Sequence, residues 1–87
     1  RRDMLYPAIA AIPGMRVEKN AGTFYLWIDI QETGLDDAAF CRSLLEREDV
    51  ALTPGSAFLC PGFVRLAYTQ PEAVLKEVAA RIRRYFM

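Results

Sequence analysis

Phe24-Tyr25-Leu26-Trp27-Ile28-Asp29-Ile30 is the stretch on which the fold turns. It is aromatic and β-branched, too short for a typical helix, and interrupted only by Asp29 near its end, which predicts a central β-strand. A second run of the same kind, Phe63-Val64-Arg65-Leu66-Ala67-Tyr68, predicts a partner strand. Side chains alternate across a strand, so Arg65 shares a face with Phe63 and Ala67, opposite Val64, Leu66 and Tyr68.

Working outward from these strands, the sequence alternates helical and extended patterns. Met4, Leu5, Ala8, Ile9 and Ile12 recur at spacings of three and four, predicting a helix over residues 2–12 that ends at Pro13-Gly14. Residues 15–18 predict a short strand leading to a turn at Asn20-Ala21-Gly22. A second helix is expected over 37–48, with Asp36 as N-cap, Leu35 and Phe40 spaced as a hydrophobic staple, and Phe40, Cys41, Leu44 and Leu45 as its buried stripe. Val50-Ala51-Leu52 reads as a short strand, closed by Thr53-Pro54-Gly55-Ser56, whose Pro-Gly pair suits the centre of a type II turn. The last helix is expected over 70–86, opened by a capping box of Thr69 and Glu72, with Val74, Leu75, Val78, Ala79 and Ile82 as its apolar face. This order predicts an α+β two-layer sandwich: a small, mainly antiparallel sheet with three helices packed on one face.

The 87 residues suit one small domain, and 53% apolar residues are enough for a packed core. A domain this size buries little surface and gains from a partner surface. The chain opens on Arg1-Arg2-Asp3 without an initiator Met, and reads as a segment of something larger. Eleven basic and eleven acidic residues cancel. No basic run suggests nucleic acid, and the cluster Arg81, Arg83 and Arg84 is the usual complement to a helix C-terminus. With no histidine, and with Cys41 and Cys60 lacking metal-like spacing, a metal site is not expected. Two isolated thiols suit a reducing cytoplasm, and no stretch has the length and apolarity of a membrane span.

Few residues suggest catalysis. Ser43 and Ser56 lack a nearby base of the usual kind. Lys19, beside a turn, and Lys76, on the polar side of the last helix, both read as solvated rather than as desolvated amines fit to react with a carbonyl. Asp29 reads as a strand-end carboxylate in contact with solvent. Arg65 stands out, because a cation in the middle of an apolar strand has two settings: it is held near an anion, or it lies on the solvent face of a half-exposed strand.

Five motifs in order, Gly22-Thr23-Phe24-Tyr25-Leu26-Trp27, Gly34-Leu35-Asp36, Phe40-Cys41-Arg42-Ser43-Leu44-Leu45, Val50-Ala51-Leu52-Thr53-Pro54-Gly55-Ser56-Ala57-Phe58 and Gly62-Phe63-Val64-Arg65-Leu66-Ala67-Tyr68, resemble the class I/II aminotransferases, fold type I pyridoxal-phosphate enzymes of the aspartate aminotransferase kind. The resemblance covers essentially all of residues 1–87 and implies the C-terminal small domain of such an enzyme. By this likeness the cofactor, pyridoxal 5′-phosphate, sits on a large domain of the same chain that supplies the reacting lysine, and the small domain closes over an amino acid or 2-oxo acid substrate. The enzyme would be a homodimer. Arg65 matches the arginine that binds the substrate α-carboxylate, and Phe24 matches a position lining the substrate cavity. No residue of this stretch matches a catalytic position, so the segment by itself is expected to be inactive. One departure is local: many members carry a glycine after the position of Phe58 and a longer glycine-bearing loop, where this chain has Leu59-Cys60-Pro61. Other fold type I enzymes, such as C–S lyases and aminocyclopropane-carboxylate synthases, share the small domain and the arginine. A stand-alone interaction module is the reading from a different class.

Overall fold

A computed structural model describes residues 2–18 and 25–86. The expected turn at Asn20-Ala21-Gly22, together with Lys19 and Phe24, lies outside the described residues. The first helix, α1, spans Arg2–Ala10 and ends earlier than residue 12, because the chain turns through Ile12 to Gly14, whose φ of 86° suits glycine. The described residues form four strands, β1 (Arg16–Glu18), β2 (Tyr25–Asp29), β3 (Thr53–Pro54) and β4 (Phe63–Ala67), and all but β3 follow the predicted placing closely. They form one antiparallel sheet in the order β1-β2-β4-β3. Helix α2 (Asp37–Glu48) joins β2 to β3, and α3 (Glu72–Tyr85) closes the described chain.

The sheet has one covered face. Leu26, Ile28, Val64 and Leu66 are buried, and the three helices pack over them through Leu5 and Ile9 of α1, Phe40 and Leu44 of α2, and Leu75 and Ile82 of α3. The period-two alternation therefore sends Tyr25, Trp27, Phe63 and Arg65 to the opposite, open face, as their partial exposure confirms. Two positions expected in the core are not there. Leu45 and Val74 are 50% and 44% exposed, since each lies one residue, about 100° of helix rotation, from the buried Leu44 and Leu75.

Helix ends explain the remaining differences. Asp36 caps α2 as expected, its carboxylate accepting from the Ala39 amide at 2.9 Å. At the other end Arg81 Nη1 donates to the Glu48 carbonyl at 2.9 Å, and Arg84 donates to the Glu48 carboxylate. The C-terminal arginines thus serve a neighbouring helix as well as their own. α3 starts at Glu72, with Pro71 as its N-cap and no side-chain cap from that residue. The fixed proline φ and missing N–H already suit that position.

The segment from Val50 to Gly62 departs most from expectation. The strand is Thr53–Pro54 rather than residues 50–52, and it sits at the sheet edge, where a proline lacking an N–H costs no ladder bond. Pro54-Gly55 is not a type II turn, because Gly55 does not have positive φ. A 3₁₀ turn, Gly55–Phe58, follows instead. Glycine is required there by crowding: a Cβ at Gly55 would lie 2.0 Å from the Cys60 carbonyl oxygen. Besides Gly62, with φ 87°, this loop has one non-glycine residue in the left-handed region, Leu59, with φ 60°. A leucine thus adopts, at 95% exposure, a conformation that glycine takes freely.

Candidate functional site

Register places Arg65 of β4 directly opposite Trp27 of β2 on one side and Thr53 of β3 on the other, in the middle of the open face. Tyr25, two residues along β2 from Trp27, is its diagonal neighbour. The guanidinium carbon lies over the Tyr25 ring at 4.1 Å and over the Phe58 ring at 4.3 Å. Both distances are within cation–π range. Trp27 meets Phe58 edge-on, with ring centroids 5.9 Å apart and planes at 85°, and meets Phe63 at 6.4 Å and 77°. Among the described residues no carboxylate forms an ion pair with Arg65. Aromatic rings hold the cation, while its N–H donors have no carboxylate partner among the described residues.

Phe58 reaches Arg65 because its loop is tied to α2. Asp37, 2% exposed at the start of α2, accepts from the Ser56 amide at 2.8 Å and the Ser56 hydroxyl at 2.9 Å, with the Gly62 amide at 3.5 Å. Burial raises the pKa of Asp37, but the Ser56 and Gly62 donors outweigh it and hold the carboxyl below its usual value. This carboxylate is a structural clamp that spans 19 residues of sequence, and sequence reasoning missed it. The available signal was the Asp36-Asp37 pair, of which one carboxylate suffices for the cap.

The other candidates fall into structural roles. Ser56 donates to a carboxylate whose lowered pKa makes it a poor base. The Ser43 oxygen accepts from the Tyr85 hydroxyl at 2.9 Å, and Asp29 accepts from the Gln31 amide at 2.9 Å across a tight turn. Lys76 is exposed on α3, beside Ala79, Ala80 and Arg83, on the helix side of the sheet. Phe24 and Lys19 are outside the described residues. Among the described residues no group of three or more His, Cys, Asp or Glu could hold a metal, and no helix is long and apolar enough to cross a membrane.

The chain matches the family "Aminotransferase class I and II" over residues 1–82, and it belongs to that family. It is 38% identical to a tyrosine aminotransferase of Caenorhabditis elegans, covering 88% of this chain and 17% of that protein. It is 37% identical to an aspartate aminotransferase of Bacillus sp. (strain YM-2), covering 98% of this chain and 23% of that one. Among solved structures, an aspartate aminotransferase from Thermotoga maritima superposes with a TM-score of 0.88 at 36% identity, over 98% of this chain and 22% of the other. An aromatic aminotransferase from Pyrococcus horikoshii OT3 superposes at 0.92 with 31% identity, over 98% and 23%. The chain therefore spans about a fifth of the length of these relatives.

Family membership implies pyridoxal phosphate, and the described residues do not fit that group. Its phosphate needs a helix N-terminus or a nest of amides, and its aldehyde needs a desolvated lysine. The N-terminus of α2 carries Asp36 and Asp37, that of α3 carries Pro71 and Glu72, and Lys76 is exposed. An anion at either helix start would meet carboxylates rather than free donors.

Proposed function

We propose that residues 1–87 form the C-terminal small domain of a pyridoxal-phosphate-dependent aminotransferase, with Arg65 binding the substrate α-carboxylate during transfer of an amino group from an amino acid to a 2-oxo acid. The observation that carries this reading is the setting of Arg65. It sits mid-strand on the open face, flanked by Tyr25 and Phe58, with no carboxylate partner among the described residues. A guanidinium presents paired donors in one plane, and these match both oxygens of a carboxylate. Fixing that carboxylate orients the substrate α-carbon, and such positioning lowers the barrier to reaction. The cofactor and its lysine belong to a large domain of the same chain, facing the open side of this sheet. Phe24 lines the same cavity, and the parent enzyme is a cytoplasmic homodimer.

The aspartate, tyrosine and aromatic aminotransferases among the relatives support the reaction class. The test is steady-state kinetics of the full-length enzyme with an amino acid and with the corresponding decarboxylated amine. Arg65→Ala is expected to cost roughly 2–5 kcal/mol in kcat/KM for the acid and to lose most of the preference for acid over amine. Arg65→Lys keeps the charge, loses the fork, and is also impaired. Cofactor binding stays near wild type in both. A wild-type kcat/KM for the amino acid in Arg65→Ala would remove Arg65 from this role. Separately, the purified 87-residue chain mixed with pyridoxal phosphate should show the spectrum of free cofactor. A stoichiometric adduct abolished by Lys19→Ala or Lys76→Ala would contradict the assignment of the cofactor site to another domain.

A further inference from the structure

We infer that Phe58 and Trp27 are positioning residues for Arg65, holding its guanidinium so that it takes a planar carboxylate along its N–H edge; this rests on the reading of Arg65 as the carboxylate anchor. An arginine side chain has several rotatable bonds, and a flexible guanidinium must be ordered when the ligand arrives. Here two rings order it beforehand. The guanidinium carbon lies over the Tyr25 ring at 4.1 Å and over the Phe58 ring at 4.3 Å, so two aromatic faces meet the cation. Hydrogen bonding is left to the N–H groups at its rim, which is the geometry that a bidentate carboxylate uses.

The two rings are supported differently. Tyr25 is part of β2, whereas Phe58 ends a 3₁₀ turn and is 45% exposed. A side chain on such a turn needs a stop. Trp27, directly opposite Arg65 in register, supplies one by placing its ring edge-on to Phe58 at 5.9 Å, with Phe63 behind it at 6.4 Å. None of Trp27, Phe58 and Phe63 belongs to the buried core. An aromatic cluster on the open face that adds little to the core has its consequence at the cation it surrounds.

The experiment uses the full-length enzyme, with the amino acid and its decarboxylated amine as probes. Phe58→Leu and Trp27→Leu keep an apolar side chain and remove the ring. Phe58→Leu is expected to reduce the acid-over-amine preference in kcat/KM by roughly tenfold, the scale of losing one favourable cation–π partner, and Trp27→Leu, which acts through Phe58, to reduce it by no more than that, while Phe58→Tyr and Trp27→Phe restore it. In an Arg65→Ala background Phe58→Leu should have no further effect on the preference, because both changes remove the same interaction. Four outcomes overturn the inference. Equal loss of acid and amine turnover shows a structural role. An undiminished preference in both leucine variants, with Arg65→Ala still defective, shows that Arg65 needs no brace and leaves its own role standing. An undiminished preference in Arg65→Ala as well removes the anchor and the brace together. A full additive effect of Phe58→Leu in the Arg65→Ala background shows that Phe58 acts elsewhere.

Discussion

Asp37 shows how much one buried carboxylate decides. Its three donors come from the loop that carries Phe58, so removing its charge loosens that loop from α2. Asp37→Asn is expected to cost about 2 kcal/mol at neutral pH, the usual scale for hydrogen bonds to a charged group. The pH dependence has a definite sign. The folded carboxyl titrates below its ordinary value of 3.8, so its contribution is complete above that pH and is lost as pH falls through the lower, folded value. Urea midpoints of the two proteins should therefore converge below pH 3.8; a constant gap down to acid unfolding would show that the charge is not the cause. The thiols differ in the same local way. Burial, with the Asp37 and Asp36 charges nearby, pushes Cys41 up to about 11, whereas Cys60 is partly exposed. At pH 8, iodoacetamide should label Cys60 in the folded chain and reach Cys41 only on unfolding. Equal labelling rates would contradict the burial of Cys41.

The loop between β3 and β4 is the element in which conformation and crowding are most tightly specified. Gly55→Ala forces a Cβ against the backbone oxygens of Cys60 and Phe63, 2.0 and 2.7 Å from its ideal position, neither of which is a movable side-chain end. A loss of about 3 kcal/mol is expected, the upper range for overpacking. Leu59→Gly acts oppositely. It removes the penalty of a left-handed leucine, offset by the greater freedom of glycine in the unfolded chain, for a net gain of about 0.5 kcal/mol. Thermal melts of the two variants should move in opposite directions, and a shift of both downward would show that Leu59 makes contacts outweighing its backbone cost.

At the scale of the molecule, one core carries the stability. Phe40 is buried beneath the sheet and meets Tyr85 edge-on at 5.2 Å and Phe86 stacked at 5.6 Å, so it ties α2 to the end of α3. Phe40→Ala is expected to cost about 3–5 kcal/mol, comparable to the whole stability of a small domain. Leu45→Ala and Val74→Ala, at exposed positions, should each cost less than about 1 kcal/mol. Urea titrations that rank Leu45 with Phe40 would contradict the buried stripe described here.

Much of this was legible in the residues. Short aromatic and β-branched runs over residues 24–30 and 63–68 placed the central strands, and period-two alternation put Arg65 on the face opposite Val64 and Leu66. Spacing and Asp36 set the bounds of α2, and five ordered motifs pointed to the family. These are local or periodic signals, written in neighbouring residues. The tertiary structure alone decided the strand order β1-β2-β4-β3, the edge position of Thr53–Pro54, the crowding at Gly55, and the meeting of Arg65 with Tyr25 and Phe58. Those depend on groups far apart along the chain, such as Asp37 and Ser56, whose contact leaves no period in the sequence. A residue's face on its strand follows from steric alternation of the backbone, but what it meets there follows from how loops are tied down elsewhere.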